Sequence, residues 1–187
     1  MRYKREIELV FDLQQPQTKQ PSQPTLRYIA TPSPPPPEKE FFLHHIRTHL
    51  LPPLATTTSP RLLLTTVAGA WDKAAAVAEQ IRRLNLSFPT AVAGREGGEG
   101  VGVTASVLLV PLQTRVEVVL NLEAEGEEVV VTSEARVVYG EGFNAGKMGE
   151  FLRGKVGRVV TAGGGAGWDE AVLELYGMLA AKGRRRE

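Results

Sequence analysis

The sequence predicts an α+β protein in which strands are followed by helices, twice along the chain. Three observations carry that expectation. Apolar residues alternate with polar ones at 3–12 and again at 103–139. They recur with a helical period at 60–85 and 168–182. Glycine- and proline-rich stretches separate these blocks. Period-2 alternation gives a strand one buried face, and a period near 3.6 gives a helix one buried stripe. A chain that lays down a sheet and then helices covers the one with the other.

Residues 3–12 read as one strand, with Tyr3, Arg5, Ile7, Leu9 and Phe11 on one face and Lys4, Glu6, Glu8 and Asp12 on the other. The polar, proline-punctuated stretch 14–24 is a loop, and 25–30 a second strand paired with the first. Residues 32–37 hold five prolines, which lack backbone donors and favour an extended path. They read as a stiff spacer, with a ligand for an SH3 or WW domain as the functional alternative. Residues 38–51 read as a helix through Phe42, Ile46 and Leu50, extended by Phe41 and His45 and stopped by Pro52 and Pro53. Ser59 then offers an N-cap and Pro60 a first helical position. From Leu63 through Val67, Trp71, Ala74, Val77 and Ile81 to Leu84 the helical period holds, giving a rod of about 39 Å over 60–85. A rod of that length serves two domains at once.

Residues 94–102 hold five glycines among charges and read as a linker. Three strands in a meander follow. The first covers 103–110. The second turns Val116, Val118, Leu120 and Leu122 inward and Arg115, Glu117, Asn121 and Glu123 outward. The third places Val129, Val131, Ala135, Val137 and Tyr139 on one face. A short helix near 147–156, a glycine stretch at 163–167 and a helix at 168–182 close the chain. The last helix has Val172, Leu175, Tyr176 and Leu179 as its stripe, with Gly183 ending it.

Composition excludes several chemistries. There is no cysteine, which removes disulfides, thiolate catalysis and Cys-ligated zinc from this segment. The net charge of +1 gives no bulk attraction to nucleic acid. No apolar run is long enough to span a membrane, and the charged N-terminus is no signal peptide. Cytosol or nucleus is the expected compartment. Lys182, Arg184, Arg185 and Arg186 form a basic cluster, read as a solvated tail or a nuclear-targeting or acidic-partner element.

Few residues suggest catalysis. The loop from Gly140 to Met148 follows a strand and opens a helix, as a phosphate loop does, but its glycine spacing leaves three or five residues where four are needed. Met148 stands where the magnesium-binding hydroxyl belongs. His44, His45 and His49 share one helix, and His45 and His49 are spaced to face one metal ion, yet no Glu follows His45. A partly exposed helix face accounts for them. No cofactor is expected. Trp71 and Trp168 read as core anchors.

Three stretches together resemble one family. They are Tyr3–Asp12; then Ala70-Trp71-Asp72-Lys73 with Gln80 to Asn85 and Phe88-Pro89-Thr90; then Leu108 to Val118. The likeness continues through Ala135 to Glu141 and Phe143-Asn144. In this order they resemble the C-terminal region of the fungal outer-kinetochore scaffold, the blinkin-type subunit of the microtubule-attachment network. The resemblance implies tandem RWD folds, each an antiparallel sheet packed on helices. The expected division is a first RWD-like unit at 1–90 that begins inside its own sheet, a linker at 91–102 and a second unit at 103–187. Many RWD domains carry Tyr-Pro after the third strand, whereas here Gly140 follows Tyr139. The family's long disordered region and coiled coil lie upstream, so this looks like its C-terminal fragment. RWD folds share the shape of ubiquitin-conjugating enzymes, whose thioester needs a cysteine this chain lacks.

The resemblance further implies a non-catalytic kinetochore module that docks onto the MIND-type inner complex by binding a subunit tail. That places it in the nucleus at the centromere, in chromosome segregation and spindle checkpoint signalling. A zwint-type coiled-coil subunit would engage the upstream region. The alternative is a nucleotide-binding enzyme domain using Gly140 to Met148. A tail adds to an open sheet edge or fills a groove between sheet and helix. The third strand, freed at both ends by Gly126 and Gly140, is the edge this points to. Val129 and Val131 lie along it, and Glu134, Arg136, Lys147 and Arg153 would give polar register. An ordinary capped edge is the alternative for each. Trp71, Val77, Ile81, Val118, Leu120, Tyr139 and Trp168 are the expected core.

Overall fold

The computed structural model describes residues 2–10, 24–55, 59–160 and 167–184. Phe11 and Asp12, nearly all of the 14–24 loop, the glycines at 163–165 and the tail residues Arg185 and Arg186 lie outside the described residues. The chain is a mixed α+β fold, with two antiparallel sheets among the described residues. The first holds β1 (Arg2–Tyr3), β2 (Ile7–Val10) and β3 (Thr25–Tyr28) in that order. Helices α1 (Pro37–His45), α2 (Leu51–Ala55) and α3 (Pro60–Ser87) follow. The second sheet is the meander β4 (Thr90–Gly94), β5 (Gly100–Leu109), β6 (Thr114–Glu125) and β7 (Glu128–Tyr139). Helices α4 (Ala145–Lys155) and α5 (Trp168–Arg184) come last.

The stretch read as one N-terminal strand is a hairpin. Lys4 and Arg5 take left-handed φ of 48° and 56°, and the Glu6 N–H donates to the Tyr3 carbonyl at 3.0 Å. Both positions left-handed is the turn that suits the strand twist, though it favours Asn and Gly. It is anchored from α3, where Asp72 accepts from the Tyr3 hydroxyl at 3.0 Å and pairs with Lys4 at 2.6 Å. Residues 31–34 run through bends instead of an extended spacer, and Pro37 opens α1.

Pro52 and Pro53 do not stop the helical path. A π-helical turn at Ile46–Leu50 intervenes, with the Leu51 N–H reaching the Ile46 carbonyl. The wider turn restarts the ladder, and prolines in the first turn of a new segment forgo only N–H groups that would be unpaired there. α3 behaves as the sequence indicates. Ser59 Oγ accepts from the Leu62 N–H at 3.4 Å, and Pro60 opens 28 residues, about 42 Å at ~1.5 Å each. Leu63, Val67, Trp71, Ala74, Val77 and Leu84 bury one stripe.

Residues 91–102 are not slack. They form the β4–β5 hairpin, turned at Gly97 and Gly98 with φ of 72° and 75°, and Val101 is fully buried. Glycines placed for a turn resemble glycines placed for a linker in sequence alone. The sheet therefore has four strands, not three. Its registers stack Val101–Leu122–Val131, Ala105–Val118–Ala135 and Val107–Val116–Val137 on the inner face.

One contiguous buried set runs from Ile7 through α1, α3 and the second sheet to Leu179. Trp71 contacts the first sheet, donating from Nε1 to Glu6 Oε2 at 2.8 Å. A little further along, Gln80 Oε1 accepts from the Trp168 N–H at 3.0 Å, tying α3 to α5. Trp71, Val77, Val118, Leu120 and Trp168 are core residues as expected, and Ile81 is half-buried against them. Tyr139 is not: it is 48% exposed. Between Val116↔Val137 and Arg115↔Tyr139 the register slips by one, so Val138 is extra and Tyr139 turns to the outer face beside Arg115. Tyr176 is also exposed, because Trp168, Ala171, Val172, Leu175 and Leu179 already fill the α5 stripe.

Candidate functional site: a groove at the end of the second sheet

The β7 edge is occupied. The Val131 N–H donates to the Arg158 carbonyl at 2.7 Å and the Val160 N–H to the Val129 carbonyl at 2.9 Å. Val130 and Val159 form an isolated antiparallel bridge. Further along, Gly149 of α4 lies so close that an added Cβ would be 3.9 Å from the Ala135 nitrogen. A partner strand cannot add at Val129–Val131 without displacing residues 158–160. Val129 and Val131 are themselves buried in the core, since odd-numbered β7 residues face inward up to the bulge.

The polar residues expected near that edge do not converge. Glu134 and Arg136 pair with each other on the outer face of the sheet. The same face carries Arg115–Glu117 at 3.0 Å and Arg95–Glu123 at 2.5 Å, an alternating lattice along strands facing solvent. Lys147 sits exposed in the first turn of α4 and Arg153 exposed in its last. The glycine loop before α4 works as a cap: Asn144 Oδ1 accepts from the Lys147 N–H at 3.0 Å, taking an amide a phosphate would need. Gly140 has φ of 110°, and a Cβ there would meet Thr114 Oγ1 at 2.2 Å.

His45 and His49 face each other, but one of them is buried. His45 is 2% exposed, whereas a partly exposed face was expected. Its ring lies 5.3 Å from that of His49, and the described residues contain no group of three or more metal-ligating side chains. His45 Nε2 is 3.2 Å from the Glu127 carbonyl. A carbonyl only accepts, so Nε2 carries the proton, leaving Nδ1 an unpaired buried acceptor. Burial is the main force holding its pKa down, to about 4; the Glu127 bond opposes it and the charges of His49, Lys73 and His44 add to it.

What the fold does bring together is a groove of about 470 Å³ where β5 and β7 end and β6 begins, beside the end of α3 and the flank of α5. Leu108, Tyr139, Leu173 and Tyr176 line it and are 50%, 48%, 46% and 38% exposed. Phe88 closes one side, its ring 6.5 Å from that of Tyr176. Cross-strand register places Leu108, Arg115 and Tyr139 in one row on the outer face. Scattered exposed apolar residues are ordinary, but four large ones lining one concavity are not. The sequence hid this site twice over: period-2 counting turned Tyr139 inward, and helical counting assigned Tyr176 to the core. Two further clefts, of about 480 and 460 Å³, flank His44 between α1 and the β4–β5 hairpin, and both carry more polar and charged side chains. No helix among the described residues is long and apolar enough to cross a membrane. Comparison with protein-family models, curated proteins and solved structures finds no match for this chain.

Proposed function

We propose that this chain is a non-catalytic docking module of the outer-kinetochore scaffold type, built from tandem RWD-like units, that captures the tail of a MIND-type subunit at the centromere in the nucleus. The observation that carries the docking reading is the groove lined by Leu108, Tyr139, Leu173 and Tyr176. A concave apolar surface with aromatic side chains suits a short chain segment, because Tyr supplies area and a polar tip at low conformational cost. The ordered resemblance of the sequence to the scaffold's C-terminal region supplies the partner. The β1–β3 sheet with α1 to α3 supports a first RWD-like unit over 1–90, and the meander followed by α4 and α5 supports a second. With the β7 edge taken at Val129–Val131, the groove is favoured over strand addition there.

A pull-down of purified MIND-type complex with the full chain, followed by calorimetry, tests this. Saturable one-to-one binding is expected. Absence of binding, together with saturable magnesium-dependent ATP or GTP binding, would favour the nucleotide-enzyme alternative instead.

A further inference from the structure

We infer that Arg115 makes this groove selective for an apolar segment carrying one carboxylate, an inference that rests on the docking reading above. Among the described residues lining the groove Arg115 is the only charged one. Register sets it between Leu108 and Tyr139, so its guanidinium emerges among exposed apolar side chains. One of its five N–H donors is committed. Nη2 donates to Glu117 at 3.0 Å, while Nε is buried with no hydrogen-bond partner. Nε lies out of an occupant's reach, so the exposed end of the guanidinium is what an acceptor in the groove would meet. The side chain is still 42% exposed, so its charge reaches the groove.

The charge balance fixes the kind of acceptor. Glu117 balances the single positive charge, so what Arg115 offers an occupant is its unused donors. A phosphate dianion would meet more repulsion from Glu117 than a single carboxylate does, and a carboxylate matches the planar fork. The apolar walls set the rest: one or two large aliphatic or aromatic side chains flanking the acid. A cleft of about 470 Å³ holds a few residues of a linear segment, within the range of ligand clefts generally.

The test uses fluorescein-labelled peptides spanning the C-terminal tails of the MIND-type subunits, read by polarisation against the full chain. The tightest peptide is then remade with each acidic residue changed to its amide. Wild-type chain is expected to lose about tenfold in affinity for one of these, the size of one lost charge-assisted bond. Arg115→Gln should bind the acidic peptide about tenfold more weakly and no longer distinguish acid from amide. Arg115→Lys, which keeps the charge and loses the fork, should fall between and guards against a folding defect in the first variant. Leu173→Asp should weaken acid and amide peptides alike. Continued discrimination by Arg115→Gln would overturn the assignment. Unchanged binding by both Arg115→Gln and Leu173→Asp would remove the groove as the docking site while leaving docking itself intact. No binding of any tail by wild-type chain would end the docking reading and this inference together. Concentration-dependent self-association abolished by Leu173→Asp would identify a second copy as the occupant and also overturn it.

Discussion

Trp71 is where α3 grips the first sheet, and its removal puts the shared core under the sharpest strain. The indole is fully buried, with its ring 6.1 Å from that of Tyr28 and Lys39 Nζ 5.9 Å from its centroid. Its Nε1 and Lys39 hold the two oxygens of Glu6, at 2.8 and 2.6 Å. Burial pushes the Glu6 pKa up, and the bonds from Lys39 and Trp71 more than offset it, leaving the carboxyl below its ordinary value. Trp71→Ala therefore removes ring volume and a donor together, and a buried Trp cut to Ala costs about 3–5 kcal/mol. Trp71→Phe keeps most of the volume and loses the bond to a charged acceptor, about 1.5–3 kcal/mol. For a chain of this size about 2–4 °C of Tm accompanies each kcal/mol. The Ala variant should melt about 6–20 °C below wild type and the Phe variant about 3–12 °C below. Scanning calorimetry at neutral pH measures both, with urea midpoints at unchanged m-value as a check. An Ala variant melting within about 2 °C of wild type would refute the claim that α3 carries a core common to both sheets.

His45→Gln should keep a donor to the Glu127 carbonyl while abolishing titration. In wild type the folded pKa of about 4 lies below the ordinary 6.5, so the unfolded chain takes up the proton first. Stability is then fully present above about pH 6.5 and falls towards pH 4, by roughly 3 kcal/mol; the variant's urea midpoint should lose that slope, and an unchanged slope would contradict the burial argument. Gly140→Ala places a Cβ 2.2 Å from Thr114 Oγ1 at a φ of 110°, so it should cost about 1–3 kcal/mol in thermal melts, with a Tm like wild type showing that the loop adjusts freely. Arg136→Glu sets a carboxylate opposite Glu117 and next to Glu134 on an exposed face. It should lower stability by about 0.5–1 kcal/mol, less in high salt, and a salt-independent loss would point to a packing role instead.

What could be read from the sequence was what local period and cap chemistry determine. Ser59 and Pro60 placed the start of α3, and alternation in β6 and most of β7 gave the inner face correctly. What escaped depended on partners distant in sequence or on one-residue offsets. Asp72 holds the Lys4–Arg5 turn from 65 or more residues away, and a π-turn absorbs Pro52 and Pro53. Glycines 97 and 98 shape a hairpin that composition reads as a linker. The candidate site suffered most, because a single bulge residue, Val138, decides whether Tyr139 packs inward or opens onto the groove. The β7 edge could not be judged from its own residues, since what covers it comes from 158–160 and α4.

Capture of a partner tail by the groove at the end of the second sheet can be followed residue by residue, by titrating unlabelled MIND-type tail peptide into ¹⁵N-labelled chain and recording amide shifts. Shifts clustered at Leu108, Arg115, Tyr139, Leu173 and Tyr176 are the expected result. Shifts concentrated along Thr90–Gly94 or on the α1 side around His44, with the groove silent, would contradict it.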